Sequence, residues 1–414
     1  MRSLLLLCSA FLLFSCTDDK WKPLFNGKDL SGWQVLGEDA TFEVNGDEVI
    51  GTNQGRQNTF LATQATYGDF ILELEVWVDP QMNSGIQFRS AQLEEGRVYG
   101  YQAEIDPSER AYSGGIYDEA RRDWLYPLSL NPVGQKAFKN EAWNKYRIEA
   151  FGNSMRVWVN GICTAFLEDD LTAVGFIALQ VHGVGREEEE GRQVKWRNIR
   201  LLTEEVEQNL TPVPQDIHVL NLTTFHMNEI EEAQGWQWVW DPNELNRIMP
   251  DSLKVGLDEG VFHIHRNSTL NIVLGSDVMP ANFEVSFQYS LGPGSEYHMA
   301  YLLDQHFEGK RYQIVDPKKF TREESLRQPG AVEGLIAAQN LSYAGMGERY
   351  LKSIGNWNQG RIIVNKGNVQ HWMNGFKVVE YELEEAHQGI QGRLALLRQT
   401  GSIDLRNMKF RAIQ

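Results

Sequence analysis

The sequence predicts an all-β protein made of two tandem antiparallel β-sandwich domains of jelly-roll type. Apolar and polar residues alternate with period two over many short runs, which is the mark of half-buried strands. No window of helical periodicity exceeds a short connector. An unusual string also occurs twice: Trp143, Asn144, Trp158, Asn160 and Gly161 are answered at identical spacing by Trp357, Asn358, Trp372, Asn374 and Gly375. Offsets between matching landmarks run from about 203 to 214, so each copy has the length of one domain.

Along the chain, residues 1–16 read as an export signal, with Arg2 followed by apolar stretches too short to span a membrane as a mature helix. Leu13, Phe14, Ser15 and Cys16 resemble a bacterial lipobox, and Thr17, Asp18 and Asp19 resemble a sorting signal of surface lipoproteins. The expectation is a chain lipidated at Cys16 and held on the outer membrane of a Gram-negative bacterium, on its periplasmic or cell-surface face, with membrane contact only through that anchor. Residues 21–203 form the first copy. Residues 204–216, acidic and proline-containing, read as a linker, and residues 217–414 form the second copy.

Phe70–Val78 sets Phe70, Leu72, Leu74 and Val76 against Ile71, Glu73, Glu75 and Trp77. Met155, Val157 and Val159 oppose Arg156 and Trp158 before the Asn160-Gly161 hairpin signal, and residues 369–375 repeat that pattern. Cysteines are three: Cys8 lies in the signal, Cys16 takes the lipid, and Cys163 then has no partner, so burial must supply the stability. A net charge of −17 without a Lys/Arg cluster argues against nucleic acid as a partner. Twelve tryptophans suit both sugar stacking and sandwich cores.

Alternation also groups the polar side chains. Gln87 shares a face with Arg89, Gln102 with Glu104 and Asp106, and Gln180 with His182. If these strands are neighbours, two carboxylates, an arginine and an imidazole line one cleft and can divide proton transfer between a base and an acid. The segment from Ser113 to Tyr126 brings glycines, acids, arginines and aromatics together just after that strand; Tyr117, Asp118, Glu119, Arg121, Arg122 and Trp124 suit a sugar-binding rim. Glu187 to Glu190 read as a solvated acidic loop, because four adjacent glutamates cannot all address one ion. No zinc-type spacing, phosphate-binding glycine loop or nucleophile elbow is present.

Residues 24–33, residues 83–89, the Glu104/Asp106 strand with residues 113–117, residues 179–183 and residues 196–199 together resemble the 3-keto-disaccharide hydrolase domain family over residues 21–203. The second copy resembles it in outline. The resemblance implies a concanavalin A-like jelly roll acting on a carbohydrate substrate, a 3-keto-glycoside produced by a partner sugar 3-dehydrogenase. It implies C2 proton abstraction, elimination at C1 and hydration, with Glu104 or His182 as base and acid, Arg89 as enolate stabiliser or sugar clamp, and Asp106 as orienter. Gln87, Gln102 and Gln180 join the rim residues as substrate contacts. No cofactor is called for, although a divalent metal is an alternative electrophile to Arg89. Setting Asp316 on Asp106 places Ile314 where Glu104 stands, and residues 394–401 hold leucine, arginine and glutamine around the place of His182. The second domain is therefore expected to be noncatalytic, supporting the first, closing its cleft or binding glycan. A competing reading makes both copies lectin-like glycan-binding modules of the cell surface.

Overall fold

The computed structural model describes residues 20–186, 189–239, 255–258, 260–264, 272–304, 306, 308–319, 325–338 and 351–413. Residues 1–16, read above as an export signal and containing Cys16, and Glu187 and Glu188 lie outside these residues. No helix among them is long and apolar enough to cross a membrane.

The first domain is a sandwich of two antiparallel sheets. Its back sheet runs in the order Ile162–Glu168, Ser154–Val159, Asn144–Phe151, Phe70–Val78, Gln193–Leu202, Glu48–Asn53, Ala40–Asn45. Its front sheet runs Asp123–Tyr126, Ile116–Glu119, Val98–Ile105, Ser84–Gln92, Phe176–Val181, Thr59–Thr63, Trp33–Leu36. The predicted alternation decides what lies between them: Phe70, Leu72, Leu74 and Val76 meet Ile86, Phe88, Tyr101 and Leu179 in one core. Fully burying each such side chain contributes about 1.5–3 kcal/mol. Glu73 and Glu75 face outward to Arg147, Arg200 and Arg197. The second domain repeats the plan with its own core around Phe287, Tyr289, Tyr297, Tyr312, Ile362 and Leu405.

The repeated string belongs to the back-sheet hairpin of each copy. Asn144 Oδ1 accepts from Lys139 N–H and Asn160 Nδ2, while Asn160 Oδ1 accepts from Lys145 N–H. Asn358 and Asn374 do the same with Lys352 and Gln359. Asn160 and Gly161 have φ of 50° and 81°, Asn374 and Gly375 of 48° and 85°, as a tight hairpin turn demands. The most visible sequence signal is thus scaffold rather than site.

The stretch after the first sandwich lies against it instead of hanging free. Arg147 donates to Asn209 O, Thr211 donates to Glu149, and Leu220–Asn221 adds a parallel strand beside Ile162–Glu168. The second domain then docks on the front-sheet edge of the first. Ser129 Oγ donates to Gly375 O at 2.6 Å, Lys352 Nζ donates to Arg122 O at 2.5 Å, and Phe376 enters the core cluster of the first domain.

Candidate functional site

The front sheet of the first domain carries a cleft of about 280 Å³ lined by Asn58, Asn83, Gln102, Glu104, Arg110, Tyr117, Glu119, Trp124, Gln180 and His182. Register explains the grouping. Gly85 pairs with Glu104 on one side and with Gln180 on the other, so these two side chains flank a strand position that has none. Their strands are two spacings apart, roughly 10 Å. A Cβ on Gly85 would lie 2.2 Å from Gln102 Cδ, so only glycine lets the Gln102 side chain cross the floor.

Glu104 is almost fully buried. Its Oε1 accepts from Asn83 Nδ2 at 2.6 Å and its Oε2 from Gln102 Nε2 at 2.9 Å, with Arg110 Nη2 at 3.6 Å. Burial pushes its carboxyl up to about 7 against the pull of Asn83, Arg110 and Gln102. Gln102 Oε1 in turn accepts from Gln87 Nε2, and Gln87 Oε1 accepts from Ser90 Oγ, both at 2.7 Å. Gln87, fully buried, is therefore a support under the cleft floor and not a lining residue.

His182 stands just beyond the end of Phe176–Val181. Its Nδ1 is 2.6 Å from Gly183 O, which places the proton on Nδ1 and leaves the Nε2 lone pair free. Burial lowers its pKa, so the ring is held neutral. Gln180 is 1% exposed and both its amide atoms lack a protein partner. A buried amide in that state is completed by a ligand or solvent.

Arg89 is not in the cleft. The pleat is interrupted by a bulge between Phe88 and Ala91, and Arg89 takes a φ of 46°. Its guanidinium swings to the end of the sandwich, donating to Gly68 O at 3.0 Å and Gly152 O at 2.8 Å beside Asp69. The arginine of the cleft is Arg110. Asp106 leaves the strand and accepts from Arg110 Nε at 2.7 Å, so it orients the arginine from outside the cleft; Ser108 and Arg110 outweigh its burial and hold its pKa low. Arg110 also lies over the rings of Tyr112 and Trp124, at 5.1 and 5.2 Å. Leucine in place of Arg89 is expected to cost about 2 kcal/mol of stability, from two lost charge-assisted bonds to the Gly68 and Gly152 carbonyls, without altering KM. Leucine in place of Arg110 should cost under about 1 kcal/mol yet impair ligand handling in the cleft. Denaturant melts and steady-state kinetics on the two variants check the contrast.

The rim divides by the same pleat. Tyr117 pairs with Gln102 and Trp124 with Tyr117, so both face the cleft, their rings 5.3 Å apart, edge to face. Glu119 joins them, its carboxyl pushed up to about 7 by burial. Asp118 pairs with Tyr101 and points the other way. There Arg121 and Arg122 each donate to it, and Arg122 reaches Asp169 at 2.5 Å. Asp118, Arg121 and Arg122 are thus brought together away from the cleft, because a strand cannot show adjacent residues to one face. Asn58, Asn83 and Arg110 escaped the sequence reading: they stand on loops, where alternation says nothing. The Arg110 signal was its place four residues beyond Asp106.

A groove of about 500 Å³ lies on the back sheet among Glu73, Lys145 and Arg200, but these charges pair with one another. Among the described residues no three His, Cys, Asp or Glu side chains gather as metal ligands. In the second domain Gln313 pairs with His298 as Gln102 does with Gln87, and Val315 stands at the level of Glu104. Ile314 points into the core. The residue facing outward at the Glu104 level is therefore valine rather than the isoleucine expected from aligning the aspartates.

Several solved structures are similar to parts of this chain. A candidate glycosyl hydrolase from Parabacteroides distasonis is 17% identical with a TM-score of 0.38, covering 46% of this chain and 100% of its own. The carbohydrate-binding module CBM66 from Bacillus subtilis is 14% identical, TM-score 0.29, covering 41% and 95%. A prokaryotic β-1,3-1,4-glucanase from a mouse hindgut metagenome is 11% identical, TM-score 0.30, covering 44% and 97%. No curated protein matches the chain. The family model described as the 3-keto-alpha-glucoside-1,2-lyase-like domain matches residues 20–202 and again 233–414. The chain therefore belongs to this carbohydrate-active family and carries two copies of its domain in tandem.

Proposed function

We propose that the first domain cleaves 3-keto-glycosides at C1. The observation that supports this most is a pair of titratable groups in one cleft, shifted in opposite directions by burial: a carboxyl raised to about 7 and an imidazole lowered. A ketone at C3 acidifies the C2 hydrogen. His182 Nε2 takes that proton, and the electron pair forms an enolate whose negative oxygen Arg110 faces. The enolate collapses to a C1–C2 double bond as the C1–O bond breaks, and the leaving oxygen takes the proton of Glu104. Water then adds across the enone, its oxygen to C1 and a proton from His182 to C2, while its other proton returns to Glu104. Gln180, Tyr117 and Trp124 hold the ring, with Gln102 and Asn83 fixing the carboxyl.

The second domain, with valine at the Glu104 level, serves in this reading as a support for the first. The substrate comes from a sugar 3-dehydrogenase, and lipidation at Cys16 holds the protein at the outer membrane, a placement that rests on residues 13–19.

The test is turnover of 3-keto-glucosides beside their unoxidised parents, with and without chelator, on protein beginning at residue 17. Only the keto forms should be consumed. kcat/KM should follow a bell: its acid limb falls below the ordinary histidine pKa, as His182 is protonated, and its alkaline limb falls near 7, as Glu104 ionises. Glycan binding without consumption of any keto-glycoside would reject the enzyme and favour the lectin-like alternative, for which the Tyr117–Trp124 pair and the unpartnered Gln180 are equally suited.

A further inference from the structure

The two copies offer an internal comparison on their back sheets. In the first, Arg197 lies 4.1 Å from the Trp143 ring and pairs in register with Glu75, whose Oε2 accepts from Arg197 Nε at 2.7 Å. In the second, Arg406 lies 4.2 Å from the Trp357 ring and pairs in register with Gln288, whose Oε1 accepts from Arg406 Nε at 2.8 Å. The geometry is kept and the carboxylate has become an amide. The other bond of Arg406 goes from Nη1 to Thr224 Oγ1 at 3.1 Å, and among the described residues no carboxylate lies within ion-pair distance of it. Asp169 and Asp170 act on it only from farther away.

A second cation lines the same cavity as Arg406. Lys139 and Lys352 are twins, each giving its backbone N–H to the hairpin asparagine at 2.8 Å. Lys139 is exposed, whereas Lys352 turns into the domain junction, where its ammonium donates to Arg122 O and forms no ion pair among the described residues. Burial and the Arg122 cation press Lys352 down to about 8, opposed by Asp118, Asp123 and Asp169. Lys352 and Arg406 both line a cavity of about 120 Å³ closed from the other side by Arg122, Trp124 and Leu220. Arg122 is already engaged with Asp118 and Asp169. On the back sheet of the first copy the groove cations Lys145 and Arg200 are paired with Glu73.

We propose that the interdomain cavity binds a small carboxylate, which gives Arg406 and Lys352 the negative charge that Glu75 gives Arg197 in the first copy. The cavity has room for a carboxylate on a short stem. A planar guanidinium and an ammonium suit its two oxygens, and Trp124, Trp357, Leu220 and Leu222 suit the stem. Since the cations come from one domain and part of the wall from the other, occupancy ties the domains together. Trp124 lines this cavity and the cleft alike, so the ligand also steadies one wall of the cleft. None of this depends on which sugar the cleft takes.

Thermal unfolding of the two-domain protein in acetate, against chloride at equal ionic strength and pH 7, tests the proposal. Acetate should raise Tm by about 2–4 °C beyond chloride. That increment should vanish in Gln288→Glu, which supplies the carboxylate internally, and in Lys352→Met, whatever the starting Tm of either variant. An acetate effect no larger than that of chloride in the parent protein, or an increment kept in either variant, would overturn it.

Discussion

Glu104→Gln is expected to lower kcat on a 3-keto-glycoside by about 10²–10⁴ while making the protein more stable above neutral pH. The amide fills the same space and can still meet Gln102 and Asn83, but it has no proton to give the leaving oxygen. The stability gain follows from the raised pKa. The carboxyl titrates near 7 when folded and near 4.5 when free, so between those values the folded state holds a proton the unfolded state lacks. Its contribution is therefore full below pH 4.5, declines as pH rises toward 7 and is gone above. That loss amounts to about 3 kcal/mol in the parent protein and is absent from the amide. Turnover and denaturant midpoints at pH 5 and pH 8 read both effects. A variant as active as the parent, or one less stable at pH 8, would remove Glu104 from the role of buried acid.

Phe376→Ala should cost about 3–5 kcal/mol and raise KM in a cleft that Phe376 does not touch. Phe376 is 7% exposed, belongs to the first domain's core and lies 6.4 Å from the Tyr112 ring. Tyr112 sits edge to face with Trp124 at 5.1 Å and under the Arg110 guanidinium. Truncating Phe376 leaves a void behind the wall that carries both cleft residues. The adjoining turn is built for this contact: a Cβ on Gly375 would fall 2.6 Å from Pro127 Cγ, whereas Gly161, its twin in the first copy, meets nothing within 4 Å. Unfolding midpoints and the split between KM and kcat check the expectation, and an unchanged KM with lowered stability would limit Phe376 to a structural part.

Period-two alternation sufficed to group Gln102 with Glu104 on one strand, strand order then set Gln180 on the same face, and the ordered motifs sufficed to name the family. It misassigned Arg89, since a single bulge inverts the pleat and a bulge leaves no mark in residue types. It also merged Asp118 with Tyr117 and Glu119, because a rim read as one loop was treated as one surface when it is two short strands. Asn58, Asn83 and Arg110 reach the cleft from loops that have no periodicity to read.

By itself, then, the sequence determined the fold class, the duplication and, strand by strand, which polar side chains share a face, Gln102 with Glu104 and Gln180 with His182. Those follow from local rules: which faces are apolar, which turns need positive φ, and how often each pattern recurs. Tertiary structure alone decided that Arg110 replaces Arg89, that Gln87 works from beneath, and that the second domain closes over the rim strand of the first. Each of these depends on strand order, register and docking, which bring together residues far apart in the chain through contacts that no local pattern encodes.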